Sequence, residues 1–181
     1  RPGTRCITLM APVLPPRCLN GFGRSFILFS VQIEVNRMGK GLFIVLEGID
    51  GCGKSAQVTA LAEWIFSNYK RIPGLVLTHE PTQSKFGKEI TERLANKGED
   101  PSAQKERILE LFVLDREDHV DNIIAPMLER GCIVVCDRYK HSTIAYQTAQ
   151  GVLSSHVIKQ NDGFPIPDLT MIFNVPVDVC I

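Results

Sequence analysis

The sequence predicts an α/β fold, a parallel sheet with helices on both faces, and three observations carry that prediction. Leu42-Phe43-Ile44-Val45-Leu46 is an apolar run rich in branched and aromatic side chains, as in a strand buried on both faces. Gly48-Ile49-Asp50-Gly51-Cys52-Gly53-Lys54-Ser55 follows and fits the spacing G-x-x-x-x-G-K-[ST]. Beyond it, apolar runs of strand length alternate with stretches of helical period, the signature of strands joined by crossover helices.

The elements follow in order. The first strand is Leu42 to Glu47. In the loop after it, glycines let the backbone curl so that several N–H groups meet one anion, and the next helix adds the partial positive charge of its N-terminus. In such a loop Gly48 to Ser55 cradle the phosphates of a nucleotide, Lys54 reaches the terminal ones and the Ser55 hydroxyl sits on Mg²⁺. Val58, Leu61, Ala62 and Ile65 continue at helical spacing, giving a helix from about Lys54 to Tyr69. A short strand, Leu75 to Thr78, is entered through Pro73-Gly74, and Glu80-Pro81 opens a loop. Helices are expected over Lys85 to Leu94 and, after a turn at Asn96-Lys97-Gly98-Glu99, from an Asp100 N-cap with Pro101 in the first turn to about His119. A further helical stretch reaches Arg130. Gly131 stops it. The third strand, Cys132 to Cys136, ends in Asp137-Arg138-Tyr139. Helices to about Gln150 and around Ser155 to Gln160, a turn bracketed by Pro165 and Pro167, and a fourth strand, Leu169 to Asn174, complete the pattern. Ligands of such folds bind at the carboxyl ends of the strands, where the glycine loop, Glu80 and Asp137-Arg138 fall.

Composition narrows the class. The 181 residues carry 20 basic and 20 acidic side chains, so a broad basic face for general nucleic-acid binding is not expected. No apolar run is long enough to span a bilayer. The cysteines at 6, 18, 52, 132, 136 and 180 form no C-x-x-C pair and read as buried thiols of a reducing, cytoplasmic compartment rather than as a zinc site. Residues 1–37 differ from the rest, with five arginines and one acid (Glu34). Pro12, Pro15 and Pro16 break the early part, and Phe26 to Val35 reads as a short strand. This extension is expected to be poorly ordered or not native: either an organelle transit peptide or read-through from upstream of a start at Met38. The remainder, 38–181, is one domain.

Three constellations could carry chemistry. Asp50 places a carboxylate in a loop built for phosphate, which is unfavourable unless it accepts a hydrogen bond from a substrate hydroxyl or amine; otherwise it faces solvent. Phe112 and Arg116 lie one helical turn apart. They could hold a nucleobase by stacking and edge hydrogen bonds, although spacing alone favours core packing for Phe112 and a surface salt bridge from Arg116 to Asp115, Glu117 or Asp118. Asp137 can orient Mg²⁺ or its waters and Arg138 can clamp an acceptor phosphate, the alternative being an ion pair at the strand end. Ser142, Ala145 and Tyr146 recur at helical spacing, which turns Tyr146 toward the same cleft.

Taken together, the run Phe43 to Ser55, Glu80-Pro81, Leu111 to Arg116, Asp137-Arg138-Tyr139 with Ser142, Ala145, Tyr146 and Gln147, and Pro167-Asp168-Leu169-Thr170 resemble the thymidylate kinases, most of all archaeal ones. The resemblance covers Met38 to Ile181. It implies transfer of the γ-phosphoryl group of ATP to dTMP with Mg²⁺, a P-loop three-layer sandwich with strand order 2-3-1-4 and a missing fifth strand, and a homodimer. It implies that Asp50 holds the sugar hydroxyl or the acceptor phosphate region, Phe112 stacks on thymine and Arg116 bonds its edge. Arg138 would bind the dTMP phosphate with Asp137 near the metal, Tyr146 would press on the sugar and Gln147 would help at the base. Glu80 and Ser142 belong to the same acceptor set, and Lys54, Asp137 and Arg138 form the catalytic one.

Two departures stand out. His79 precedes Glu80-Pro81 where the family often has arginine, and replaces it only partly near neutral pH. Gly51 is not an arginine, so the transition-state arginine would come from a lid beyond these residues. The chain is therefore expected to be a fragment that binds weakly and turns over poorly. Another P-loop nucleoside or nucleotide kinase is the alternative. A GTPase-like switch is disfavoured, for want of an N-K-x-D motif.

Overall fold

The computed structural model describes residues 9–12, 26–29, 40–69, 72–96 and 101–180. The predicted turn over 97–99, the Asp100 cap and residues 30–35 of the expected early strand lie outside them. Within the N-terminal extension, β1 (Leu9–Pro12) pairs antiparallel with β2 (Phe26–Phe29). The sequence reading had only the second of these strands.

Four strands form the main sheet: β3 (Leu42–Gly48), β4 (Leu75–His79), β5 (Ile133–Asp137) and β6 (Leu169–Phe173). All are parallel and lie in the order β4-β5-β3-β6, the predicted 2-3-1-4. Alternation along the strands divides the core. Ile44, Leu46, Ile133 and Val135 pack on Val58, Leu61 and Ile65 of helix α1 (Lys54–Asn68). Phe43, Val45, Val134 and Cys136 face the opposite way, onto Val120, Ile124 and Tyr139. Phe43 to Glu47 of β3 are buried because both faces of the strand carry helices.

The other helices are α2 (Lys85–Ala95), α3 (Pro101–His119), α4 (Ala125–Glu129), α5 (Lys140–Ala149) and α6 (Ser154–Gln160). α3 runs into α4 through a π-turn, Val120–Ile124. Pro126 supplies the physical reason: its ring would clash with the carbonyl four residues back, and a wider turn relieves that contact. Asp168 sets the register of β6. Its Oδ2 accepts from Phe43 N at 2.8 Å while its own N–H donates to Phe43 O at 2.8 Å, so β6 is locked onto β3 before its first residue.

At the carboxyl edge, the ladders continue one step past the strands. Glu80 N donates to Asp137 O at 3.0 Å and Arg138 N to Leu46 O at 2.9 Å. These bonds bring the ends of β3, β4 and β5 together. The site forms there.

Candidate active site

The loop after β3 turns on Gly51 and Gly53, at φ of +78° and +87°. Gly53 is the N-cap of α1 and no side chain caps that helix, which leaves its first N–H groups for an anion. Gly51 also answers a steric demand, since a Cβ there would stand 2.1 Å from the Cys180 carbonyl oxygen. Lys54 is buried and its Nζ donates to Ile49 O at 2.7 Å, with Cys52 Sγ at 3.7 Å. The ammonium thus folds back over the loop itself.

Ser55 Oγ donates to Asp137 Oδ2 at 3.0 Å, joining the start of α1 to the end of β5. Asp137 Oδ1 is buried and has no hydrogen-bond partner among the described residues. A carboxylate oxygen left over beside a serine hydroxyl is a donor set that suits a hard divalent cation, so the residues fit Mg²⁺.

Arg138 has a φ of +71°, the one left-handed non-glycine residue among those described. Its Nη2 pairs with the Asp50 carboxylate, its Nη1 donates to Ser142 Oγ at 3.0 Å, and its guanidinium lies 5.5 Å from the centre of the Tyr146 ring. Burial works against its charge, but Tyr146 and the Asp50 carboxylate outweigh that and raise its pKa. Asp50 is exposed but ion-paired, which neither sequence alternative anticipated.

Beside this pair is a cavity of about 320 Å³, within the size range of small-ligand sites. All of the acceptor candidates line it: Asp50, Glu80, Phe112, Arg116, Arg138, Ser142, Tyr146 and Gln147. Spacing alone had favoured a surface salt bridge for Arg116, and the structure corrects this. Arg116 is fully buried, and its partner is Glu80, at 2.9 Å from Nε and 2.6 Å from Nη2. Thr143 Oγ1 at 2.9 Å and Asn161 Oδ1 take further donors. The other Glu80 oxygen lies 3.1 Å from His119 Nδ1. Asp115, one of the partners suggested by spacing, binds Thr82 and Ser84 instead. Gln147 is buried at the cavity wall, and its Oε1 has no partner among the described residues.

An adjoining cleft of about 440 Å³ is lined by Ser55, Thr78, His79, Asp137 and the shared Glu80 and Arg138. His79 thus stands on the phosphate-loop side of the acceptor cavity. Sequence reasoning missed the cavity residues Leu94, Thr143 and Gln150, which carry no motif, and assigned no role to Glu47. One signal was available for Glu47, the only acid in an otherwise apolar strand.

With the order β4-β5-β3-β6 and the glycine loop leading from β3 into α1, the chain falls in the P-loop class of α/β nucleotide-binding proteins. The family model described as thymidylate kinase matches residues 46–181, and the chain belongs to the thymidylate kinase family. Members of this family are phosphotransferases that phosphorylate dTMP with ATP. A probable thymidylate kinase of Pyrococcus abyssi is 40% identical over 142 residues, covering 76% of this chain and 67% of that protein. The thymidylate kinase of Desulfotalea psychrophila is 38% identical over 140 residues, 76% of this chain and 65% of that protein. The crystal structure of thymidylate kinase from Ehrlichia chaffeensis superposes with a TM-score of 0.65 at 36% identity, covering 77% of this chain and 79% of that one. The chain spans about two-thirds of the length of the curated relatives it matches. Among the described residues, no helix is long and apolar enough to cross a membrane.

Proposed function

We propose that this site carries out the family reaction, transfer of the γ-phosphoryl group of ATP to the phosphate of dTMP, giving dTDP and ADP. The observation that supports it is the convergence of eight acceptor candidates on one cavity, joined to the phosphate loop by the Asp50–Arg138 pair. In this reading the loop N–H groups and the N-terminus of α1 hold the ATP phosphates, and Lys54 leaves the Ile49 carbonyl for the terminal ones. Ser55 and Asp137 hold Mg²⁺, directly or through water. The cation supplies charge neutralisation on the phosphate oxygens.

Phe112 stacks on thymine, the remaining Arg116 donor and the Gln147 amide meet the base edge, and Tyr146 faces the sugar. Glu80 acts through Arg116, which it orients in the wall of the cavity. Arg138 turns from its pairing with Asp50 to the acceptor phosphate, which frees the Asp50 carboxylate for the sugar hydroxyl. An acceptor-phosphate oxygen then forms the new P–O bond as the bond to the β,γ-bridging oxygen breaks. Positioning and charge neutralisation do most of the work. The reading extends to a cytoplasmic homodimer with no nucleic-acid partner, which sedimentation of the purified chain tests in part.

Coupled ADP release, measured with dTMP, dUMP, thymidine and dCMP as acceptors, tests the assignment. Turnover is expected with dTMP first and to be abolished in Arg138→Ala. ADP release that is indifferent to the acceptor would overturn it.

A further inference from the structure

We propose that Glu47 is a positioning residue for the acceptor, acting through Ser142 on Arg138. Glu47 closes β3 just before the phosphate loop and is almost wholly buried, yet it does not line the acceptor cavity. Its Oε1 accepts from Tyr139 N at 3.0 Å and Ser142 N at 3.3 Å, and its Oε2 accepts from Ser142 Oγ at 2.6 Å. His141 Nδ1 lies 3.8 Å away. All of these contacts fall on residues 139–142, the turn that follows Arg138 and opens α5. Tyr139, the N-cap residue of α5, provides no side-chain cap. A carboxylate from a different strand therefore caps this helix, where the positive end of the helix favours it.

The consequence reaches Arg138 through one proton. Ser142 has a single hydroxyl hydrogen, and donating it to Glu47 leaves the oxygen lone pairs facing Arg138 Nη1 at 3.0 Å. Without Glu47 that hydrogen can rotate, and the lone pairs that receive the guanidinium are no longer held in one direction. The other partners of Arg138 are Asp50, 91% exposed on the loop, and the exposed ring of Tyr146, so neither serves as the fixed end of the clamp. The buried Glu47–Ser142 pair is that fixed end. It ties the aim of Arg138 to the strand that carries the phosphate loop, so donor and acceptor phosphates are registered by one element.

This inference rests on the reading that Arg138 holds the acceptor phosphate. Its test compares dTMP with thymidine, which lacks that phosphate, by calorimetric titration of the full chain and of Glu47→Ala, Glu47→Gln, Ser142→Ala and Arg138→Ala. Glu47→Ala is expected to weaken dTMP roughly tenfold or more, the worth of one charge-assisted hydrogen bond, with thymidine changed by less than about twofold. Glu47→Gln keeps one acceptor oxygen and should give the same pattern at smaller size. Adding Ser142→Ala to Glu47→Ala should weaken dTMP no further than the larger single effect. Equal losses for dTMP and thymidine in either Glu47 variant mean a merely structural role and overturn the proposal; should the alanine variant not fold, the glutamine variant decides. Unchanged dTMP affinity in the Glu47 variants, with dTMP weakened in Arg138→Ala, also overturns it. If Arg138→Ala leaves the dTMP-to-thymidine ratio unchanged, the underlying reading of Arg138 fails.

Discussion

Arg116 shows how much one residue can be constrained by its surroundings. Its guanidinium is fully buried, fixed by Glu80, Thr143 and Asn161, and lies 5.0 Å from the centre of the Tyr139 ring. Arg116→Lys keeps the charge but loses the planar fork, leaving Glu80 and Asn161 partly unpaired in a desolvated site. It should cost about 3 kcal/mol or more, read by urea unfolding, because breaking a buried pair strands its partner. Asp137 is the opposite case, a carboxylate with one oxygen to spare. Asp137→Asn should raise the Mg²⁺ concentration for half-maximal turnover roughly tenfold or more while the fold persists, checked by Mg²⁺ titration of the rate.

At the scale of elements, α2 depends on Ser84. The Ser84 Oγ accepts from Phe86 N and Gly87 N, both at 3.1 Å, and donates to Asp115 Oδ1 at 2.7 Å. Asp115 also takes Thr82 N at 2.8 Å and Thr82 Oγ1 at 2.6 Å. The loop after Glu80-Pro81 is thereby tied to α3, the helix that carries Phe112 and Arg116. Ser84→Ala removes a cap and leaves a buried carboxylate short of a donor, so a loss of about 1–2 kcal/mol is expected in thermal or urea unfolding. Affinity for dTMP should weaken with it, because this loop anchors Glu80 and Pro81, which line the cavity.

For the molecule as a whole, the core behind the site sets an alkaline limit. Burial first, and then the Glu80 carboxylate, push the Cys136 thiol well above its ordinary 9.0 and the Tyr139 phenol above its ordinary 10.0. The folded chain therefore keeps both protons at pH values where the unfolded chain releases them. Stability is unaffected below these ordinary values and falls as pH rises through them, by roughly 1.4 kcal/mol per pH unit for each group. Urea unfolding between pH 8 and pH 11, ordinary conditions for such a titration, should show this slope. Cys136→Ala should remove the first part of it. Tyr139→Phe should remove the second without loss of stability near neutral pH, since the buried Tyr139 hydroxyl has no partner among the described residues.

The sequence by itself determined the alternation of strands and helices and the position of the phosphate loop, because hydrophobic period and glycine spacing are local signals. Through the resemblance it also settled the strand order and the family. From Leu42 onward, predicted ends of elements that fall on described residues agree with the structure to within a residue or two. Local motifs pointed Arg138 and Tyr146 toward the cleft, and the resemblance did so for Phe112, whose spacing alone favoured core packing; all three line the cavity. Only the tertiary structure decided the partners. Arg116 was assigned neighbours on its own helix but pairs with Glu80 across the fold, and Asp50 was given solvent or substrate but meets Arg138, 88 residues away. Glu47 had no visible task until β3 and α5 were brought together. A charge buried in a core takes whichever partner packing delivers, and packing at that range is not written in any local pattern.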